Sequence, residues 1–377
     1  QSTMATISLS GPTLLPTGVI EDATVHVRDG RIERLLPGLD TSADVQTDGV
    51  IAPGFIDMQL NGGFGRDFSI DPEAILHVSR RLPATGVTTY YPTRITSPIE
   101  SYLPWLRAVE EILPQVQGAN APGIHLEGVY FSPHRVGAHN PDWMRPINTQ
   151  EILTRYAASE VVKIVTLAPE LEGSAEAIRA LRARGIVVSA GHTNATYGQA
   201  LAGFEAGVNW GTHLFNAMPG PTSREPWVST ALLLADFPVG IIVDGIHVHP
   251  GMVKMTYRMK GAKGITLVTD SMAAMGQGPG EYVLGAYKVI VDEVCARLET
   301  GSLAGSIVTM DAEVRHMIAQ SGCTVAEALT MATLNPAERL GLANKGRIQV
   351  NADADLVVLD SNLKVRHTLI GGAVWQA

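Results

Sequence analysis

Four strand-like apolar runs of this 377-residue chain end on a side chain that can bind a metal ion or transfer a proton. In chain order, these end residues are Glu127, His192, His213 and Asp270. Taken singly, such a histidine is more often a structural hydrogen-bonding residue, and an Asp before Ser is often a helix cap. Four of them in order at strand ends are poorly explained in that way. In a (β/α)8 barrel the reactive groups come from the C-terminal ends of different parallel strands, so the pattern predicts such an active site.

Glu127, His192 and His213 together offer one carboxylate and two imidazoles. This donor set suits Zn²⁺ or Fe²⁺, tolerates Mn²⁺ or Co²⁺, and leaves room for water. We therefore expect one divalent metal per subunit, with zinc favoured. The metal would acidify that water and polarise a carbonyl oxygen. Asp270 is placed to take a proton from the water and to return it to a leaving amine, the usual double duty of one acid-base group in amide hydrolysis.

The middle of the chain alternates apolar, strand-like runs with segments whose apolar residues recur every three or four positions, as in helices. Eight such apolar runs can be counted, from VIAPGFIDMQ to GITLVTD. Continuously apolar runs are typical of parallel strands buried on both faces, and eight strand–helix units favour a closed barrel over an open sheet. No GxGxxG or GxxxxGK[ST] loop follows a run, which argues against a nucleotide-binding fold. A late segment, AEALTMATLNPAERLG, reads as a helix stopped by Asn-Pro and then restarted.

Both ends of the chain have a different pattern, of short alternating strands joined by turns. The start contains ATISLS, TVHVRDG and RIERLLP with an Asp-Gly hairpin signal, and the end contains GRIQV, ADLVVLD and KVRHTLIGGAVW. We predict that residues 1–52 and 347–377 form one small β-sandwich domain. Residues 53–346 would then be the inserted (β/α)8 barrel and the catalytic domain.

The composition limits the partners of the protein. Hydrophobic residues make up 45% and charged residues 17%, which predicts a large core. The net charge of −9 and the lack of a Lys/Arg cluster predict no nucleic-acid partner. The sequence has no long uncharged apolar stretch and no basic-then-apolar start, so we expect neither a membrane span nor a signal peptide. The two cysteines lack metal-ligand spacing and fit a cytoplasmic protein.

Seven short motifs follow one another in the order found in the amidohydrolase superfamily. Together they resemble the N-acetylglucosamine-6-phosphate deacetylase family, from about residue 50 to the C terminus. The motifs are PGFID (53–57), HLEG (125–128), AGHT (190–193), THLFNAM (212–218), DGIHV (244–248), LVTD (267–270) and LAGS (303–306). THLFNAM and HLEG discriminate best, whereas PGFID marks only the superfamily. The resemblance implies hydrolysis of the acetamide of N-acetylglucosamine 6-phosphate to glucosamine 6-phosphate and acetate, with a metal-bound water as the nucleophile and Asp270 as the general base and acid.

The resemblance also implies roles for the other residues of the site. The three ligands would be those named above, His139 would hold the sugar near the scissile amide, and His247 would contact the substrate from the seventh strand end. The alternative for His139 is a loop residue that stabilises a turn beside Asn140-Pro141. The alternative for His247 is a hydrogen bond within the barrel mouth.

Phosphate recognition is likewise implied by the resemblance alone. Asn216 and Ala217 would bind the phosphate through side-chain and main-chain groups. Arg224 matches an arginine that family members insert into the neighbouring subunit's site, where a planar guanidinium suits a phosphate dianion. A small-molecule amino-sugar phosphate and a homodimer are therefore the expected partners. The alternative for Arg224 is a local surface ion pair with Glu225.

Two features depart from the pattern of the superfamily. Many members carry His-x-His after the first strand, where this chain has Gln59-Leu60-Asn61. Amides are poor zinc ligands beside imidazole, so we expect Gln59 and Asn61 to hydrogen-bond around the site and a second metal to be absent. Family members usually have Pro at the position of Val129, and the following loop, FSPHRVGAHN, is this chain's own. That loop should shape the mouth over the sugar.

Two other functions fit the sequence less well than this one. Another amidohydrolase activity, on a cyclic amide, a dipeptide or an aminopurine, goes more often with the first-strand His-x-His and with a bridging modified lysine. Lys163 lies before the end of its strand, and the fourth strand ends on Pro169-Glu170 instead. A non-catalytic sugar-phosphate sensor would be expected to lose a metal ligand or the acid-base residue, and this chain retains all four.

Overall fold

The computed structural model describes residues 6–376, so residues 1–5 and 377 of the predicted small domain lie outside the described residues. The strands are β1 (Thr6–Leu14), β2 (Ile20–Arg28), β3 (Arg31–Pro37), β4 (Val45–Gln46), β5 (Val50–Pro53), β6 (Phe55–Leu60), β7 (Gly62–Gly63), β8 (Arg66–Asp67), β9 (Val87–Ile95), β10 (Ile124–Glu127), β11 (Val162–Leu167), β12 (Val187–Ala190), β13 (Trp210–Gly211), β14 (Val239–Ile241), β15 (Ile265–Leu267), β16 (Gly280–Leu284), β17 (Tyr287–Val291), β18 (Ala296–Leu298), β19 (Leu356–Leu359), β20 (Val365–Ile370) and β21 (Ala373–Val374). The helices are α1 (Ala74–Arg81), α2 (Tyr102–Ile112), α3 (Thr149–Glu151), α4 (Ser174–Ala183), α5 (Tyr197–Ala206), α6 (Trp227–Leu234), α7 (Pro250–Lys260), α8 (Met310–Ser321), α9 (Val325–Met331) and α10 (Leu334–Arg339).

The predicted eight-stranded parallel barrel is confirmed. Its strands pair in the order β6-β9-β10-β11-β12-β13-β14-β15. Two backbone hydrogen bonds join the ends of the first and last strands: Asp270 N donates to Gln59 O (2.9 Å) and Asn61 N to Ser271 O (2.8 Å). Nearly every residue of these strands is buried, which is why the sequence runs are apolar without alternation. Helices lie between the strands along the chain, so the C-terminal strand ends share one mouth.

The helices of the barrel follow the sequence pattern closely. α5 begins with a capping box, in which Thr196 accepts from the backbone of Gln199 and the Gln199 side chain accepts from the backbone of Thr196. The predicted interruption near Asn-Pro falls slightly earlier than expected, between α9 and α10. Asn335 and Pro336 lie in the first turn of α10, where a missing N–H costs nothing. None of the described helices is long and apolar enough to cross a membrane.

The two ends of the chain join in one small β unit, as predicted. The hydrogen-bonded path runs β21-β20-β19-β5-β1-β2-β3, with β4 paired to β1. It has its own apolar core, which includes Leu9, Val25 and Leu356. The β2–β3 hairpin turns at Asp29 and Gly30, both with positive φ, which is the type I′ geometry that Asp-Gly favours.

The expectation of a strand at GRIQV is wrong. Residues 346–350 form an irregular segment, not a strand, between the last helix and β19. Gly346, which begins this segment, and Asn351, which follows it, both have φ near 71°, a left-handed conformation that a strand does not contain. Ile348 is nevertheless fully buried in the core of the terminal sheet, which explains the apolar residue in the pattern.

A three-stranded antiparallel meander of β16, β17 and β18, inserted between the eighth barrel strand and α8, was not predicted. One face of it packs Leu284 and Val289 against Ile95 and Met272 beside the barrel mouth. The alternation of EYVLGAYKVIV around Gly285-Ala286 is a hairpin signal that would have revealed it. The meander therefore adds a wall to the mouth that the eight strands alone do not supply.

Candidate active site

The four residues at the predicted strand ends all line one cavity at the barrel mouth, of about 210 Å³. Glu127 is the last residue of β10, whereas the others lie two or three residues beyond their strands. His192, His213 and Asp270 have φ of 47°, 30° and 47°, which is unusual for residues other than glycine. Backbone strain of this kind persists only where surrounding contacts determine it, and it is often found at functional sites. The strand ends thus turn sharply to aim three side chains inward.

Three donor atoms from different strands meet in a small triangle. His213 Nε2 lies 3.1 Å from Glu127 Oε1, His192 Nε2 lies 3.3 Å from the same oxygen, and the two Nε2 atoms lie 3.2 Å apart. Ligand atoms placed tetrahedrally at the usual zinc distances are separated by about 3.3 Å, so the triangle has the size of one face of a zinc site. All three residues are buried. The structure therefore brings the three sequence-predicted ligands together.

The protonation of His192 indicates that the triangle requires a positive charge. Burial lowers the pKa of His192, so its ring is neutral near pH 7. Its Nδ1 lies 2.9 Å from the carbonyl oxygen of Arg135, which can only accept, so Nδ1 carries the proton. The Nε2 lone pair consequently faces the carboxylate of Glu127. Two acceptors at this distance in a buried site are unfavourable unless a cation lies between them.

His213 gives a second sign of the same requirement. Burial lowers the pKa of His213, but the hydrogen bond and negative charge of Glu127 outweigh burial and raise it. Without another cation, the carboxylate therefore draws a proton onto this ring. A divalent ion at the centre would instead satisfy Glu127, His192 and His213 together. The donor set and its spacing thus fit the metal that the sequence predicts.

His139 lies close to the ligands, with Nε2 4.0 Å from Glu127 Oε2. Glu127, His139 and His192 form a buried group that could also hold a metal ion. However, the backbone N–H of Thr96 points at His139 Nδ1 (3.2 Å), so Nδ1 must accept. Burial, with the neighbouring His192, lowers the pKa of His139 to about 3. The neutral ring then carries its proton on Nε2, which makes it a hydrogen-bond donor into the cavity.

Asp270 is buried beside the triangle and has one oxygen engaged. Asn61 Nδ2 donates to Asp270 Oδ1 over 2.7 Å. Burial and the negative charge of Glu127 raise the pKa of Asp270 to about 6, although His213, the hydrogen bond from Asn61 and His247 oppose the rise. A carboxyl group whose pKa lies near neutrality can both take up and release a proton during a reaction. The hydrogen bond from Asn61 orients the group and leaves Oδ2 free to act.

Gln59 and Asn61 differ in position although they share the predicted motif. Asn61 lines the cavity, whereas Gln59 is fully buried and is not among the lining residues. Among the described residues, neither side-chain amide atom of Gln59 has a hydrogen-bond partner. Its backbone oxygen accepts from Asp270, so its described contact with the site is through the main chain.

The other predicted contact residues also line the cavity, with one exception. His247, Asn216 and Ala217 are all lining residues. Asp244 Oδ2 accepts from His247 Nδ1 over 2.7 Å, which fixes the direction of that ring. Arg224 lies in an exposed loop outside the cavity of its own chain. Within residues 6–376, no ion pair links Arg224 to Glu225, whose carboxylate accepts from the backbone of the residues at 197 and 227.

The loop over the mouth contributes contacts that the sequence did not reveal. Phe131 stacks on the ring of His192, with centroids 4.3 Å apart and planes 10° apart, and meets His139 edge-on at 4.9 Å. Val129 adopts φ 35°, a strained conformation for a β-branched residue. Ile95 and Leu284 are among the lining residues that were not predicted, whereas Ala138 lies in the loop expected at the mouth and Leu303 in the LAGS motif. Such residues can be predicted only when it is known which loops meet at the mouth.

Comparisons with known proteins identify the family of this chain. The family model of the Amidohydrolase family matches residues 50–374. N-acetylglucosamine-6-phosphate deacetylase from Bos taurus is 41% identical over an alignment that covers 96% of this chain and 94% of that protein.

Two solved structures are similar over nearly the whole chain. The deacetylase from Thermotoga maritima has a TM-score of 0.90 at 32% identity and covers 99% of both chains. A mutant of the Mycobacterium smegmatis deacetylase, in complex with N-acetyl-D-glucosamine-6-phosphate, has a TM-score of 0.93 at 33% identity and covers 99% of this chain and 100% of that one. The chain therefore belongs to the amidohydrolase family and, within it, to the N-acetylglucosamine-6-phosphate deacetylases.

Proposed function

We propose that this chain is a metal-dependent amide hydrolase that converts N-acetylglucosamine 6-phosphate to glucosamine 6-phosphate and acetate. The observation that carries the proposal is the buried triangle of Glu127, His192 and His213 with Asp270 beside it. Relatives of the same family bear the name of this activity, and one was solved with this sugar phosphate. A divalent ion held by the three ligands would lower the pKa of a water molecule and polarise the amide carbonyl.

Asp270 is the proposed base and acid. Asn61 holds one of its oxygens, so the other can accept a proton from the attacking water. The same carboxyl group then donates that proton to the amine as the C–N bond breaks, which avoids release of a poor leaving group. Its raised pKa favours this exchange because the protonated form is accessible near neutral pH.

His139 and His247 are the proposed contacts to the sugar. Because His139 Nδ1 accepts from the backbone of Thr96, its Nε2–H is available to donate to the substrate near the amide oxygen. A donor at this position would stabilise the negative charge that develops on that oxygen. His247 donates from Nδ1 to Asp244, so its Nε2 is available to accept a hydrogen bond from a sugar hydroxyl.

Phosphate would bind at Asn216 and Ala217, with Arg224 supplied by a second subunit. The main-chain N–H of Ala217 has no hydrogen-bond partner among the described residues, and a φ of 52° turns the backbone at that point. Arg224 is exposed and unpaired with Glu225, as a residue that reaches into another molecule should be. A homodimer follows from this arrangement. Gln59 completes the proposed set as a buried support of Asp270.

Zinc as the native metal and a cytoplasmic location are parts of the same proposal. Zinc is supported by a ligand set of one carboxylate and two imidazoles with tetrahedral spacing. A reducing compartment is supported by Cys295 and Cys323, which are buried and not joined in a disulfide.

Acetate release tests the proposed reaction. Protein stripped of metal should release no acetate from N-acetylglucosamine 6-phosphate, and reloading with Zn²⁺ should restore turnover. Unphosphorylated N-acetylglucosamine should react far more slowly, because it lacks the group that Asn216, Ala217 and Arg224 bind. Equal rates on both sugars would remove phosphate recognition, and no release from either sugar by the reloaded protein would refute the activity.

Replacing Asp270 by Asn should abolish most turnover without loss of metal. An amide cannot accept the proton from water, so kcat should fall by about 10²- to 10⁴-fold, the usual contribution of general acid-base catalysis. The metal content, measured on the purified variant, should equal that of the wild type because the triangle is unchanged. Asn61→Ala should lower kcat less, since it removes the hydrogen bond to Asp270 Oδ1 but keeps the carboxylate. Full activity of Asp270→Asn would exclude Asp270 as the base.

Replacing Arg224 by Ala should raise KM for the phosphorylated sugar by about tenfold or more, since a charged hydrogen bond is lost. The slow reaction of the unphosphorylated sugar should not change. Arg179→Ala, an exposed arginine of α4, is the matched control. Mixed dimers of Arg224→Ala with Asp270→Asn should regain one working site, because one subunit supplies the arginine and the other the carboxylate. An unchanged KM in Arg224→Ala would remove this residue from the site.

A further inference from the structure

A buried acidic side chain of α8 has no part in the reaction described above. Glu313 lies in the first turn of that helix and is completely buried. Burial, together with the nearby carboxyl groups of Asp57, Asp244 and Asp270, raises its pKa well above the usual range. No ion pair compensates it within the described part of the chain, and its Oε2 has no hydrogen-bond partner there. Burying a carboxyl group costs free energy of folding unless hydrogen bonds compensate it, so the hydrogen bond that Glu313 does make is informative.

Among the described residues, the carboxyl group of Glu313 makes one hydrogen bond, and it goes to the seventh strand end. Its Oε1 accepts from the backbone N–H of Val243 over 2.8 Å. Three residues later on the same helix face, His316 Nδ1 lies 2.9 Å from the carbonyl oxygen of Val243 and therefore donates to it. One helix thus holds both polar groups of a single residue of the barrel mouth, from the donor side and from the acceptor side.

Val243 needs such partners because the barrel sheet stops before it. β14 ends at Ile241, and the last bond of the ladder is donated by Val268 N to Ile241 O. Val243 is completely buried, so water cannot satisfy its N–H and C=O. Unpaired buried backbone groups are costly, and Glu313 and His316 take the place of a strand neighbour.

The residues that follow Val243 orient the proposed sugar contact. Asp244 Oδ1 accepts from the backbone N–H groups of Ile246 and His247, and its Oδ2 accepts from His247 Nδ1. The direction of the His247 ring therefore depends on Asp244, which is attached directly to the residue that α8 holds. His247 lines the cavity, whereas Glu313 and His316 do not.

We propose that Glu313 and His316 are positioning residues, which fix Val243 so that Asp244 presents His247 to the sugar. This inference rests on the proposed function only in taking His247 as a substrate contact. Glu313 acts through the carbonyl oxygen of its neutral carboxyl group. A glutamine, which has the same carbonyl oxygen, should therefore replace it, and a leucine of similar size should not.

The test is a double-mutant cycle on the metal-loaded enzyme. Glu313→Leu should lower kcat/KM by about tenfold, mainly through KM, because His247 would be displaced and its hydrogen bond to the substrate would be lost. Glu313→Gln should restore kcat/KM to nearly the wild-type value. In the His247→Ala background, Glu313→Leu should cost nothing further in kcat/KM, since residues that act through one another are not additive. Asp311→Asn, whose carboxylate binds Arg315 in the same helix, is the matched control and should be without effect.

His316→Ala provides a second route to the same conclusion if Glu313→Leu fails to fold. It removes the donor to Val243 O from a half-buried position, and its effect should likewise vanish in the His247→Ala background. The inference is overturned if either variant lowers kcat/KM equally in both backgrounds, because the loss would then be a general effect on stability.

A crystal structure of one folded variant separates this inference from the proposed reaction. The 2.7 Å contact between His247 Nδ1 and Asp244 Oδ2 should be displaced in Glu313→Leu or His316→Ala and retained in Glu313→Gln. An undisturbed contact would refute the positioning role whatever the substrate is. If the wild type proves inactive on the phosphorylated sugar but the contact is displaced, the proposed function fails and the positioning role stands.

Discussion

Three electron-rich atoms meet in a space from which water is largely excluded, and the rest of the site is arranged around this constraint. Glu127 Oε1 and the Nε2 atoms of His192 and His213 lie 3.1–3.3 Å apart in the barrel mouth. Such a cluster needs a positive charge, either a proton on His213 or a cation between the three atoms, because desolvated acceptors repel one another. The left-handed backbone at both histidines is the local strain that the barrel tolerates in order to assemble the cluster.

The loops around the cluster determine which nitrogen of each histidine faces the cavity. Arg135 accepts from His192 Nδ1 and leaves the Nε2 lone pair facing Glu127, whereas Thr96 donates to His139 Nδ1 and leaves Nε2 as a donor. Two histidines that are both within reach of Glu127 thereby acquire opposite roles. A hydrogen bond to the other ring nitrogen of a metal-binding histidine fixes its orientation and tunes the metal site. Phe131 further fixes the ring of His192 by stacking on it.

Much of this arrangement could be predicted from the sequence because a parallel barrel converts chain order into spatial proximity. Glu127, His192, His213 and Asp270 follow buried strands, so their meeting at one mouth follows from the fold class. The tautomers of His139 and His192 could not be predicted, because they depend on backbone groups of Thr96 and Arg135 that only the folded loops bring near. The pattern also misled at residues 346–350, where residues in a left-handed conformation flank a short alternating run. Gln59 and Asn61 are two residues apart and would share a face of a regular strand, yet only Asn61 reaches the cavity. The pairing of β6 with β9 is irregular between Asp57 and Leu60, so the regular alternation does not hold there.

A crystal structure of the zinc-loaded protein would test directly whether Glu127, His192 and His213 bind one metal ion. Anomalous diffraction at the zinc edge and the metal content should be measured on the same sample. We expect one ion per chain at about 2.0–2.2 Å from Glu127 Oε1, His192 Nε2 and His213 Nε2. His139 should remain outside the coordination sphere, with its Nε2–H directed into the cavity. An ion bound by His139 in place of His213, or a second ion beside Gln59 and Asn61, would overturn the assignment of Glu127, His192 and His213 as the ligands of a single metal.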